Sequence, residues 1–321
     1  MKLAILGGGN CYALNLAKHC HALGIDHFGI GRSERKPAPF WVEHDYRYRR
    51  LHLITDLPSV MAVLETERPD IIVNFAAQGE GQASFGEHSD KFYTTNSVAL
   101  ARLVEQLRSR DWLKRFIQIG TSELYGSVTN PSLESDPIRP SSPYAVSKAA
   151  FDLHLQIMHR VHGFPCNVIR PSNAITEGQQ LHRIVPKAIL CAFKGEKLPL
   201  HGGGAARKSY IHADDLSRAI LTVIDKASPG EIYNCGPFQP VSIGVLVRLC
   251  ATACGIDYAD LVEVTGERTG QDGCYWLNSR KLEALGWQKQ VELPEAVSRM
   301  VTWVRRYPEL LEMSTDYRII P

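Results

Sequence analysis

Four apolar residues, Leu3-Ala4-Ile5-Leu6, run straight into Gly7-Gly8-Gly9, and an amphipathic stretch from Asn10 to Leu23 follows. The same unit recurs along the first half of the chain. Short apolar runs near Phe28 to Gly31, Ile71 to Phe75, Phe116 to Gly120 and Asn167 to Arg170 alternate with helix-like stretches at Pro58 to Glu67, Asp90 to Arg110 and Pro143 to His162. Apolar runs this short, without strict alternation, read as strands buried on both faces, and strands separated by helical crossovers form parallel sheets. With right-handed crossovers the fold class is α/β, a doubly wound parallel (Rossmann) sheet, whose ligands sit beyond the carboxyl ends of the strands. Chemistry is therefore expected at Gly7, Ala76, Thr121 and Ser172.

Past Arg170 the pattern becomes irregular, with Pro171, Gly178, Pro186, Pro199 and Gly202-Gly203-Gly204. A smaller mixed α/β lobe is expected there, with substrate between the two parts. The boundaries are placed at residues 1–171 and 208–240 for the dinucleotide-binding domain, and at 172–207 and 241–321 for the substrate lobe.

Gly7 stands where a tight turn under a dinucleotide pyrophosphate is needed, but Asn10 and Ala13 replace the second and third glycines of the usual motif. Asn tolerates left-handed backbone angles and Ala is small, so the cradle remains possible. At the end of the second strand, Gly31-Arg32-Ser33 carries no acid to hold ribose hydroxyls. A guanidinium and a hydroxyl there suit a 2′-phosphate, which favours NADP over NAD.

Tyr144-Ala145-Val146-Ser147-Lys148 opens a helix after Ser141-Ser142-Pro143. Spacing of four puts phenol and ammonium on one face, where the charge makes the phenol more acidic and lets it accept a hydroxyl proton. The pair lies 23 residues beyond Thr121-Ser122-Glu123, at the end of another strand.

On these residues the chain resembles the extended short-chain dehydrogenases/reductases, and within them the nucleotide-sugar 4,6-dehydratases acting on dTDP-glucose and GDP-mannose. The likeness runs through Asn74 to Gln78, Gly120 to Gly126, Ser142 to Lys148, Arg170 to Asn173, Arg207, Tyr210 to Asp215, Tyr233 to Gly236 and Arg268 to Asp272. It implies catalysis by Thr121, Ser122, Glu123, Tyr144 and Lys148. A cofactor set follows: Gly7, Gly9, Asn10, Cys11, Tyr12, Arg32, Ser33, Leu53, Ala76, Ala77 and Gln78, with Tyr144 and Lys148. The implied substrate set is Ser172, Asn173, Arg183, Arg207, Asn234, Arg268 and Asp272, holding a nucleotide-diphosphate sugar. Ser122 departs from the dTDP-glucose enzymes, which carry an acid there to protonate the leaving hydroxyl. Because Thr-Ser-Glu also occurs in UDP-glucuronate decarboxylases, a decarboxylase or an epimerase using the same C4 oxidation is the alternative. A non-catalytic regulator is disfavoured by the complete proton-transfer set.

The remaining features bound the partners. Thirty-six Lys and Arg against thirty-four Asp and Glu leave a net charge of +2, with no basic block for nucleic acid. No run of eighteen apolar residues is present to span a membrane, and the apolar start is too short for a secretory signal. Eight scattered cysteines read as free thiols in a reducing, cytoplasmic compartment, and twelve histidines show no metal-ligand spacing. Asp214-Asp215 reads as a helix cap, and Trp276, Trp287 and Trp303 as anchors of the carboxyl-terminal lobe. Asp90 to Arg110 and Pro143 to His162 are the faces expected to pair in a homodimer.

Overall fold

A computed structural model describes residues 1–79, 81–266 and 272–316. Seven parallel strands form one sheet: β1 (Lys2–Leu6), β2 (Asp26–Gly31), β3 (Tyr48–Arg50), β4 (Ile71–Asn74), β5 (Arg115–Ile119), β6 (Cys166–Pro171) and β7 (Ile232–Cys235). Their order is β7-β6-β5-β4-β1-β2-β3. The direction of winding reverses between β1 and β4, which is where a doubly wound sheet opens a crevice.

Both faces of the sheet are covered, which explains why the strands read as continuous apolar runs. On one face Leu3, Ile5, Val73, Ile117 and Ile169 pack with α1 (Cys11–Ala22) and with residues of a later helix, Leu216, Ala219, Ile220 and Val223. On the other, Ala4, Leu6, Ile72, Phe116 and Val168 meet Val60, Met61 and Leu64 of α2 (Leu57–Glu67). Alternation within each strand thus feeds two cores, and each fully buried large side chain contributes about 1.5–3 kcal/mol.

The expected single helix from Asp90 to Arg110 is broken. It runs as α3 (Ser89–Tyr93), a π-helical turn at Thr94–Val98, and α4 (Ala99–Leu107). The widened turn buries Asn96 completely, and its amide bonds to groups outside its own helix. The long α5 (Pro143–His162) has Ser142 as N-cap, Pro143 at its first position and Gly163 in the left-handed conformation at its end. β3 and β7 were not apparent in the sequence. β3 buries Tyr48 alone of its three residues, and β7 carries Asn234 in a four-residue strand.

Beyond β6 the chain builds short pairings: 173–175 with 210–212, 198–201 with 262–265, and 207–208 with both 241–242 and 274–275. Three helices, α6 (Ile184–Lys194), then, past α7 (Ala213–Lys226), α8 (Ile243–Cys254) and the segment Leu293–Arg306, share a third core containing Val185, Leu190, Leu246, Val297 and Trp303. Trp287, expected in this lobe, packs on the sheet instead, in the core that includes Leu216, and donates to the Asp215 carbonyl at 2.9 Å.

Asp214 and Asp215, read as a helix cap, lie inside the first turn of their helix instead. α7 already begins at Ala213, capped by the His212 ring. The two carboxylates clamp neighbouring elements instead. Asp215 accepts from the amides of Gln290 and Val291 at 2.7 and 3.0 Å, and Asp214 takes Asn15 of α1 and Arg299, both at 2.8 Å.

Gly7 sits at the switch point with φ +70°, and a Cβ there would lie 2.6 Å from the Ala76 amide nitrogen. Gly7→Ala therefore combines left-handed strain with a backbone collision and should cost more than about 1 kcal/mol, measured by urea unfolding. An unchanged midpoint would contradict this account of the turn.

Candidate active site

One cleft of about 620 Å³ opens across the carboxyl ends of β1, β4, β5 and β6, between the sheet and the smaller lobe. Asn10 lines it from the cap of α1 and Tyr12 from its first turn, Ala77 and Gly79 from the loop after β4, Thr121 to Glu123 from the turn after β5, and Tyr144 with Lys148 from α5. Ser172, Asn173 and Arg183 line the lobe side.

Lys148 is 3% exposed and donates to the Ile119 carbonyl at 2.6 Å. Burial pushes its ammonium down to about 8, while Asp152 beneath it pulls the other way. Asp152 is itself fully buried and paired with Arg170 at 3.1 Å. The Arg170 guanidinium also donates to Tyr125 at 2.7 Å, and the Tyr125 hydroxyl donates to Asn234 at 2.9 Å. A chain of buried polar groups thus ties α5 to β6, the turn after β5, and β7.

Tyr144 is held on three sides. Its amide donates to Ser84 at 3.0 Å, its carbonyl accepts from Ser147 at 2.7 Å, and the Phe92 ring meets its own edge to face at 6.4 Å. Asn96 donates to Ser147 at 2.9 Å and to the Gln78 carbonyl at 2.9 Å, and accepts from the Gln78 amide at 2.8 Å. The loop after β4 is thereby bolted to the helix that bears the phenol. Thr121 accepts from the Glu123 amide at 3.2 Å, and a Cβ on Gly81 would stand 2.9 Å from a Glu123 carboxylate oxygen. Ser122 is 4% exposed.

Asn10 makes no use of the left-handed conformation that its side chain tolerates. Its φ and ψ are −76° and 144°, and it caps α1 by accepting from the Tyr12 amide at 2.9 Å. The close backbone approach falls to Gly8, whose Cβ would lie 2.8 Å from both Gly29 Cα and the Tyr46 hydroxyl. Gly9 and Cys11 are part-buried beside it. With a glycine turn, a helix N-terminus facing the cleft and small residues Ala76 and Ala77 opposite, these residues fit a dinucleotide pyrophosphate. Arg32 donates to Gln78 at 3.3 Å, and the Ser33 carbonyl accepts from Tyr48 at 2.8 Å. Leu53 packs on the core containing Val60.

Three substrate expectations are not met in the cleft. Asn234 is completely buried, accepting from its own network and donating to the Ser132 carbonyl at 2.9 Å, so it braces the scaffold. Arg207 is exposed and donates to the Pro240 carbonyl at 3.3 Å. Asp272 accepts from Ser141 and, at 2.7 Å, from Tyr275, closing the lobe onto the start of α5. Arg268 lies outside the described residues. Sequence reasoning missed Ser84, Asn96, Ser147, Gln179, Lys208 and Tyr275. Asn96 carried a signal, an amide on the buried side of an amphipathic stretch; the others carried none. Among the described residues no three His, Cys, Asp or Glu side chains gather to hold a metal ion.

A seven-stranded parallel sheet with a Tyr and a Lys on one helix beside a glycine turn defines an α/β fold of the dinucleotide-binding class. Residues 3–236 match the model of the NAD dependent epimerase/dehydratase family, and the chain belongs to it. A mouse (Mus musculus) dTDP-D-glucose 4,6-dehydratase is 30% identical over 259 residues, covering 79% of this chain and 72% of that protein. An Arabidopsis thaliana trifunctional protein with UDP-glucose 4,6-dehydratase, 3,5-epimerase and reductase activities is 29% identical over 77% of this chain, which spans only 38% of it. The crystal structure of a dTDP-glucose 4,6-dehydratase from Streptomyces venezuelae, solved with NAD bound, superposes with a TM-score of 0.89 at 27% identity, over 97% of this chain and 98% of that one. A Thermus thermophilus UDP-glucose 4-epimerase shares the fold, with a TM-score of 0.88 at 22% identity over 96% and 100% of the two chains.

Burial of Lys148 has a pH signature. Its folded value lies near 8 against an ordinary 10.5, so below about pH 8 the folded chain carries the full cost of the buried charge. Between 8 and 10.5 the unfolded chain binds more protons, and stability rises with pH. Relative to Lys148→Met, the wild type should gain about 3 kcal/mol across that window, read from urea melts. A pH-independent difference would refute it.

Proposed function

We propose that this chain is a nucleotide-diphosphate-sugar 4,6-dehydratase that makes a 4-keto-6-deoxy sugar and uses a nicotinamide dinucleotide. The observation that carries the reading is the convergence of Thr121, Glu123, Tyr144 and Lys148 on one cleft whose lobe side adds Arg183, Lys187 and Lys208. Cations so placed suit a diphosphate. The family and the dehydratases among its relatives support it.

Tyr144, made acidic by the ammonium of Lys148, takes the proton of the sugar 4-hydroxyl while Thr121 donates a hydrogen bond to that oxygen. When bound, the nicotinamide supplies the hydride acceptor for C4 and the donor for C6, and it ends as it began. Glu123 removes the C5 proton, acidified by the adjacent ketone, and delivers it to the hydroxyl leaving C6 as water. Ser122 is far too weak an acid for that delivery, so the carboxyl serves both directions. The proton held by Tyr144 balances the one that C5 regains.

The finer assignments belong to the same proposal. Arg32 and Ser33 at the carboxyl end of β2, with Glu34 turned to Arg50 at 2.7 Å, support NADP over NAD. The chain acts as a homodimer through the outer face of α5, where Val146, Leu153, Ile157 and Val161 are exposed at helical spacing beside Tyr93 and Val98. No helix among the described residues is long and apolar enough to cross a membrane, and eight free thiols support a reducing cytoplasm.

Incubation with a panel of nucleotide sugars, read by mass spectrometry, should show loss of water. Loss of carbon dioxide would indicate decarboxylation, and unchanged mass with a new retention time epimerisation. Tyr144→Phe should lower turnover by at least about a hundredfold while leaving nucleotide affinity within a few-fold; retained turnover rejects the mechanism. Leu153→Asp with Ile157→Asp should halve the mass seen by light scattering, and an unchanged mass would place the dimer face elsewhere.

A further inference from the structure

The start of α1 is closed by its own chain. Asn10 Oδ1 accepts from the Tyr12 amide at 2.9 Å and from the Cys11 thiol at 3.7 Å. The Tyr12 side chain is held as well: its hydroxyl donates to the Ala174 carbonyl at 3.1 Å and accepts from Gln179 Nε2 at 2.9 Å. Gln179 lines the same cleft and is 4% exposed, and its Oε1 has no partner among the described residues. This end of the cleft therefore has an amide donor already occupied and a buried acceptor still unmet.

A pyrophosphate bound at this crevice takes the free amides of the first helical turn. Here the amide of the second helical residue is not free. A carboxamide oxygen, the neutral counterpart of a phosphate oxygen, already holds it. We propose that Asn10 is a resident competitor of the dinucleotide: its side chain must leave the Tyr12 amide before the pyrophosphate binds, which weakens cofactor affinity and speeds its exchange. The inference rests on the dinucleotide reading of the cleft and deepens it. Exchanging an Asn N-cap for alanine, which leaves the amides poorly met, shifts an equilibrium about two- to thirty-fold, whereas exchange for glycine shifts it about 1.5- to 2-fold, and the smaller figure is the penalty expected on binding. Glycine at this position leaves the helix nearly as well capped, because its bare amides are solvated, and presents nothing to displace.

The test is calorimetric titration of ADP-ribose, NAD and NADP into the wild type, Asn10→Gly and Asn10→Ala, with stopped-flow dissociation of whichever dinucleotide binds. Asn10→Gly should bind all three about 1.5- to 2-fold more tightly and release the dinucleotide more slowly. Asn10→Ala, which has no side chain to displace and leaves the amide poorly met, should bind them about two- to thirty-fold more tightly than the wild type and carries the test if the glycine variant fails to fold. Equal or weaker binding by a folded Asn10→Gly or a folded Asn10→Ala overturns the inference and leaves the dinucleotide site standing. Failure of the wild type to bind any of the three overturns the reading of the cleft and this inference with it.

Discussion

An ammonium sealed beneath the sheet's carboxyl edge organises everything around it. Lys148 has one carbonyl, that of Ile119, and the carboxylate of Asp152 to offset its lost hydration. Asp152 needs Arg170 in turn, and Arg170 uses Tyr125 and, through it, Asn234. Removing one partner of such a buried pair costs about 3–5 kcal/mol, because the other charge is left uncompensated. Four elements are therefore fixed by the need to keep one positive charge dry, and the phenol that depends on that charge inherits their rigidity.

The second constraint is positional. A general base must stay within hydrogen-bond reach of the proton it removes. Tyr144 sits at the second position of α5, where a helix end would otherwise fray, yet Ser84, Ser142 and Ser147 bind the backbone of that turn. Asn96 reaches it from a π-helical turn, so the irregularity in the neighbouring helix places an amide where a regular helix would not.

Much of the sheet was legible because its strands are buried on both faces and need apolar residues at every position, and the boundaries of α5 were legible from Ser142, Pro143 and Gly163. The elements that escaped were those whose stabilisation is not local. β7 carries a buried Asn satisfied by residues far away in sequence, and β3 buries a single tyrosine. At the site, Tyr144, Lys148, Thr121 and Glu123 announced themselves by spacing. Asn234 and Arg207 matched a familiar pattern without facing the cleft, because a motif records which residue stands at a position and not which way its side chain turns. Asn10 departed from the pattern, and its conformation was set by the amide it could reach.

The late arrival of β7 bears on how the chain is made. β6 receives its outer neighbour only when residues near Glu231 come to lie beside Asn167, 64 positions earlier. Until a ribosome has emitted that stretch, together with most of the intervening lobe, β6 presents an open row of amides and carbonyls, and Asn234 is not there to receive the Tyr125 hydroxyl. Edges of that kind recruit strands from other molecules. Vectorial synthesis thus leaves the nascent chain with a sticky margin for the time needed to add some sixty residues, a few seconds to about ten at ordinary elongation rates. Over that interval, chaperones that shield unpaired strands have their clearest opportunity to act.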